Sequence, residues 1–142
     1  PFVTSFLPAF NKGFRKGFQQ ARAGQNEMSA MNELNSIGTA EKSFRSIVGR
    51  GRYGTIEEIE RAGLIDRSQL SLMGYEFTVV ADRDRFAAFA YPKLYPATGI
   101  RSFYLSSDDF TLRGGDKSGK YASSDDPPVA PNGVPGRIYE DQ

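Results

Sequence analysis

The side chains in this sequence with the types and spacing to do chemistry are carboxylates. Asp108 and Asp109, Asp125 and Asp126, and Asp116 between the two pairs would suit a calcium ion held by loop oxygens if about six ligands were gathered. The same Asp pairs, set among Ser and Gly, also build ordinary turns. Glu57, Glu58 and Glu60 would serve as acid and base if aimed at a substrate, but consecutive acids on a short exposed helix form a solvated face. With no His and no Cys in the chain, imidazole and thiol catalysis, disulfides and the usual zinc and haem ligands drop out. What remains forms no catalytic constellation. The expectation is a chain that is not an enzyme, with no cofactor and no metal site.

Two further stretches have spacings that touch phosphate or nucleic acid. Gly114 to Lys120, GGDKSGK, satisfies the spacing of a phosphate-binding loop, but Tyr121 stands where a Ser or Thr should hold magnesium, and ASSDDPP cannot continue as the required helix. Gly49 to Gly54, GRGRYG, resembles a fragment of an Arg-Gly segment that stacks on RNA. Glu57, Glu58 and Glu60 neutralise it within a few positions, and Arg50 and Arg52 at the negative end of a helix dipole explain it as a terminator. No nucleic-acid partner is expected.

The elements that would position these residues follow from size and pattern. The chain has 142 residues, 39% of them hydrophobic, with 11 Phe and 7 Tyr, which is enough for one modest core. Its net charge of +1, from 18 basic and 17 acidic residues, creates no global field to draw in an acidic partner. PFVTSFLPAF is about half the apolar run, roughly 18 residues, that a spanning helix needs.

Asn26 to Val48 organises the chain. At helical spacing Ala30, Leu34, Ile37, Ala40, Phe44, Ile47 and Val48 share one broad stripe, while Asn32, Asn35, Thr39, Lys42 and Ser46 point away. Glu33 and Glu41 fall inside the stripe, with Arg45 one turn from Glu41 as its expected partner. Gly49 and Gly51 end the helix. Upstream, Phe2, Phe6, Phe10, Phe14 and Phe18 recur every four residues beside Lys12, Arg15, Lys16 and Arg22, with no acid before Glu27.

In one continuous helix this ladder, with Val3, Ala21 and Met28, faces almost opposite to the Leu34 stripe. The expected assembly interface is therefore Phe2, Val3, Phe6, Phe10, Phe14, Phe18, Ala21 and Met28, and the head-packing face is Ala30, Leu34, Ile37, Phe44, Ile47 and Val48. The alternative is that residues 1–25 fold back as a core helix, for which Pro8, Gly13, Gly17 and Gly24 are poor material.

Downstream, Thr55 caps a short helix with Glu57 and Glu58 in its first turn, Ile56 and Ile59 on its buried side and Gly63 at its end. Tyr75 to Ala81 and Phe86 to Tyr91 alternate with period two and flank the turn Asp82, Arg83, Asp84, which predicts an antiparallel hairpin. Ser102 to Ser106 predicts a third strand and Phe110 to Arg113 a short fourth. From Gly114 the composition turns to Gly, Pro, Ser and Asp and predicts an extended tail, pinned by Val129, Val134, Ile138 and Tyr139. The organisation is thus an assembly- or membrane-facing half helix over 1–25, a head over 26–113 and a tail over 114–142.

The helix ending in TAEKSF, the LID turn at Leu64 to Asp66, GYEFTV, and GIRSFY at Gly99 to Tyr104 together resemble the heads of bacterial type IV pilins and type II secretion pseudopilins over roughly Ala21 to Arg113. The resemblance implies an α+β, pilin-like fold with a long N-terminal helix whose rear half packs on a small antiparallel sheet. It also implies a structural subunit of a filament at the cell surface, membrane-associated before assembly, whose partners are other copies of the chain. Two other readings stay open: a pilin-like accessory subunit of a membrane complex, and a small carboxylate enzyme or carbohydrate-binding module. Such pilins ordinarily begin with about twenty apolar residues and an acidic residue near the processed N-terminus, a pattern Pro1 to Lys16 does not carry. Many also close a C-terminal loop with a Cys pair, which is absent here.

Overall fold

A computed structural model describes the backbone of residues 2–70 and 72–131, and the side chains of residues 21–70 and 72–131. The order of elements is helix α1 (Phe2–Ser43), a π-helical turn (Phe44–Val48), α2 (Ile56–Arg61), α3 (Arg67–Leu70), and strands β1 (Tyr75–Ala81), β2 (Phe86–Pro92), β3 (Arg101–Ser106) and β4 (Arg113–Asp116). The fold is α+β.

The strands form one antiparallel sheet in the order β1-β2-β3-β4. Alternation fixes its register. Val79 lies opposite Ala88, Ala88 opposite Leu105, and Phe103 opposite both Ala90 and Gly114, so one face carries Tyr75, Phe86, Ala88, Ala90, Phe103 and Leu105. All six are buried against α1. Burial of that apolar face is what specifies the pairing, because a slip of one residue would turn it to water. Ala88 and Ala90 keep the centre of the sheet low, and Gly38 lets the helix lie on β3 so closely that a Cβ there would come within 2.8 Å of Leu105.

From the helix side, Ala30, Met31, Leu34, Ile37 and Phe44 are all at most 1% exposed. Ile47 and Val48, expected on the same face, are 77% and 52% exposed, which corrects that expectation. The cause is the π-helical turn, in which the Gly49 N–H bonds back to the Phe44 carbonyl at 2.7 Å. Its wider i→i+5 winding advances each side chain by a smaller angle, which turns Ile47 off the stripe, while Val48 is the last residue before the chain leaves the helix at Gly49.

The C-terminal stretch also departs from expectation. Gly114 to Asp116 belong to β4, and the chain then returns along it: Pro127 accepts the Gly114 N–H at 3.0 Å and Leu112 accepts that of Val129 at 2.9 Å. Ala122 and Ala130 are buried, and Val129 packs on the core. Gly114 reads as a breaker in composition, but here it admits a strand beside Phe103, whose ring a Cβ would approach to 2.6 Å. The fourth strand therefore starts at Arg113 and not at Phe110, which sits at φ 54° in the preceding turn. Val134, Ile138 and Tyr139 lie outside the described residues.

Candidate assembly surface

α1 is 42 residues long, about 63 Å at 1.5 Å per residue. Asn26 ties it to the loop before β3: its amide donates to the Thr98 carbonyl at 2.9 Å. Glu27 follows: Oε2 accepts the N–H groups of Ile100 and Arg101 at 3.0 and 3.1 Å, and Oε1 accepts Arg101 Nε at 3.0 Å. Towards Phe2 the helix runs on for roughly 36 Å.

Around this point of departure, large apolar side chains face outward. Met28, next to Glu27, is 47% exposed, and Ile100, whose N–H Glu27 holds, is 40% exposed. Leu94 and Tyr95, in the loop that ends at Ile100, are exposed as well. Ala21 is also exposed, while Ala23, Ala30 and Met31 are buried. Phe2, Val3, Phe6, Phe10, Phe14 and Phe18 lie on α1, and their side chains lie outside the described residues. Met31, outside the expected face, is fully buried too, and its place one turn before Leu34 is the sequence signal for it.

Six of the carboxylates singled out in the sequence, those of Glu57, Glu58, Glu60, Asp109, Asp116 and Asp126, are committed locally. Asp109 takes the Thr111 N–H and pairs with Arg113 at 2.9 Å, so the guanidinium holds its carboxyl below the usual range. Asp126 accepts the Ser123 N–H and Lys117 Nζ, and Asp116 accepts the Tyr95 hydroxyl and the Ser118 N–H. Among the described residues no three acids come together to hold a metal ion. Thr55 and Glu58 form a reciprocal capping box on α2, and Arg52 grips Glu58 through two bonds of 3.1 and 2.8 Å. That clamp pulls the Glu58 carboxyl down to about 2. Arg67 sits 3.8 Å from both Glu57 and Glu60. The residues of GGDKSGK divide between β4 and a turn, and among the described residues no helix follows them.

GRGRYG is built as a clasp on the end of the long helix. Arg52 lies 5.3 Å over the Phe44 ring and Arg45 4.7 Å over Tyr53. Arg45 is therefore not the partner of Glu41. Glu41 is fully buried and accepts the Gly54 N–H at 2.9 Å instead. Glu33, half-buried on the same helix, has its carboxyl pushed up by burial.

The outer face of the sheet carries rings. Phe89 meets Tyr104 at 5.4 Å and Tyr121 at 5.0 Å, and Tyr121 meets Tyr91 at 5.0 Å. Beyond them the small residues Ala87 and Ser106 leave a shallow groove of about 220 Å³ edged by Arg85 and Asp108. Among the described residues no helix is long and apolar enough to cross a membrane. Family models, curated proteins and solved structures were all compared with this chain, and none matches it.

Proposed function

We propose that this chain is a structural subunit of a pilus-like or pseudopilus filament at the cell surface, which joins other copies of itself through the N-terminal half of α1. The observation that supports this reading is the exposure of Met28 on α1 and of Leu94, Tyr95 and Ile100 in the loop that Asn26 and Glu27 hold, on a helix that continues towards Phe2. Exposed apolar surface of that kind is stabilised by another protein or by lipid. The sequence upstream supplies a matching pattern, with Phe at every fourth position and basic residues beside it. A pilin-like fold agrees with the same facts, since the rear half of the helix supplies the core of a four-stranded antiparallel sheet.

Negative-stain microscopy of the native material tests the proposal. Long polymers are expected, and Phe10→Asp with Phe14→Asp abolishes them while the head stays folded. Discrete particles of fixed stoichiometry would replace this reading with that of an accessory subunit in a membrane complex.

A further inference from the structure

Glu41 is a carboxylate that the fold has closed in. Its side chain is 0% exposed. Oε1 accepts the Gly54 N–H at 2.9 Å, while Oε2 is buried with no hydrogen-bond partner. The 49–55 loop forms the lid over it. Gly54 lies so tightly on the helix that a Cβ there would come within 2.8 Å of the Phe44 ring. Next to it, Tyr53 bonds its N–H to the Arg83 carbonyl at 3.3 Å and packs its ring on Phe86 at 5.1 Å.

The charged groups around this pocket are committed elsewhere. On the same helix, Lys42 sits over the Phe110 ring at 4.2 Å and Arg45 over Tyr53 at 4.7 Å. From the loop, Arg52 is bound to Glu58. From α2, Glu58 contributes a like charge, and from the β1–β2 turn Arg83 offers its carbonyl to Tyr53. A buried carboxylate with one bare oxygen and no cation is far costlier ionised than neutral.

We propose that Glu41 is a proton-operated latch: neutral, it keeps the 49–55 loop seated on α1, and on losing its proton it opens the loop and bares Phe44 and Tyr53 to water. Burial is the main cause of its raised affinity for the proton. The Gly54 N–H opposes the effect and the Glu58 charge adds to it, which sets the carboxyl at about 7. With the loop open Glu41 is an ordinary carboxylate near 4.5, so the seated form binds the proton more tightly. The seated loop is fully stabilised below about pH 4.5, loses stability as pH rises through about 7, and changes little above that. Across that window the ratio of seated to open loop falls roughly a hundredfold or more. The latch rests on packing within the head and is independent of how the chain assembles.

Amide hydrogen exchange followed by NMR on the full chain between pH 5 and 8, corrected for intrinsic pH dependence, tests it. Protection of the Tyr53 and Gly54 amides is expected to fall roughly a hundredfold, while Ala90 and Phe103 in the sheet keep theirs. In Glu41→Gln, which retains an acceptor for Gly54 and cannot ionise, protection is expected to stay level. Unchanged protection in the wild type, an equal fall in Glu41→Gln, or an equal fall in the sheet amides overturns the latch. Should Glu41→Gln not fold, the carboxyl-carbon titration of Glu41 in the wild type decides: a midpoint raised above 4.5 that coincides with the fall in Tyr53 and Gly54 protection supports the latch, and a midpoint near 4.5, or a raised one without that fall, overturns it.

Discussion

Glu27 on α1 holds Arg101 at the start of β3 by side chain and backbone at once. One carboxylate oxygen takes Arg101 Nε at 3.0 Å, and the other takes the Arg101 N–H at 3.1 Å together with that of Ile100. The Glu27 side chain is 12% exposed and that of Arg101 30%, so the pair is partly desolvated. Removing one partner strands the other charge and two backbone donors. Glu27→Ala is expected to cost about 2–3 kcal/mol, read as a lower urea midpoint with an unchanged slope. A loss below about 0.5 kcal/mol would show that solvent already screens the pair.

The π-helical turn makes a sharp contrast between residues that a helical wheel places together. Leu34→Ala empties a fully buried site and is expected to cost about 3–4 kcal/mol. Ile47→Ala removes a side chain that is 77% exposed and is expected to change stability by less than about 0.5 kcal/mol. Thermal or urea unfolding of the two variants measures both, and equal losses would place Ile47 back on the buried face.

Gly24 and Gly54 should respond to alanine in opposite directions. Gly24 lies in α1 with nothing within 4 Å of an added Cβ, so Gly24→Ala is expected to stabilise by up to about 1 kcal/mol through helix propensity alone. In Gly54→Ala the new methyl would press on the Phe44 ring at 2.8 Å and is expected to cost about 1–3 kcal/mol. Unfolding midpoints of the two variants on opposite sides of the wild type are the expected result.

At the acid end, Glu58 contributes beside Asp66, Asp82 and Asp109, whose carboxyls are also held below the usual range. The Arg52 clamp and the capping-box bonds lower its carboxyl from 4.5 to about 2, so the stability it contributes is present above about pH 4.5 and is lost as pH falls towards 2. Glu58→Gln is expected to flatten the stability profile over that window and, by removing the like charge beside Glu41, to move the fall near neutral pH slightly lower. An acid limb as steep in the variant as in the wild type would assign the loss to other carboxylates.

Much of the head was legible from pattern alone. β1 and β2 announce themselves by period-two alternation around Asp82 to Asp84, and Thr55 reads as the N-cap of α2, to which the structure adds the reciprocal bond from Glu58. Ala30, Leu34, Ile37 and Phe44 lie where a 100° projection puts them. Ile47, Val48 and β4 were not legible, for different reasons. A π-helical turn is set by how the 49–55 loop closes on Phe44, a tertiary event that no local periodicity records. β4 is written in glycine and aspartate, whose propensity argues against a strand until Phe103 demands a neighbour without a side chain. The partner of Glu41 escaped because it is a backbone N–H thirteen residues away, and spacing along a helix points only to side chains such as Arg45.

The central claim is that the front half of α1 faces other chains and not its own head. A photo-crosslinking residue placed at Phe14, with a second variant carrying it at Met28, tests this on native material by mass spectrometry of the crosslinked peptides. The expected result is crosslinks from Phe14 and Met28 to a second copy of the chain. Crosslinks from Phe14 confined to the same molecule's own head, near Leu34 or Phe103, would contradict the claim.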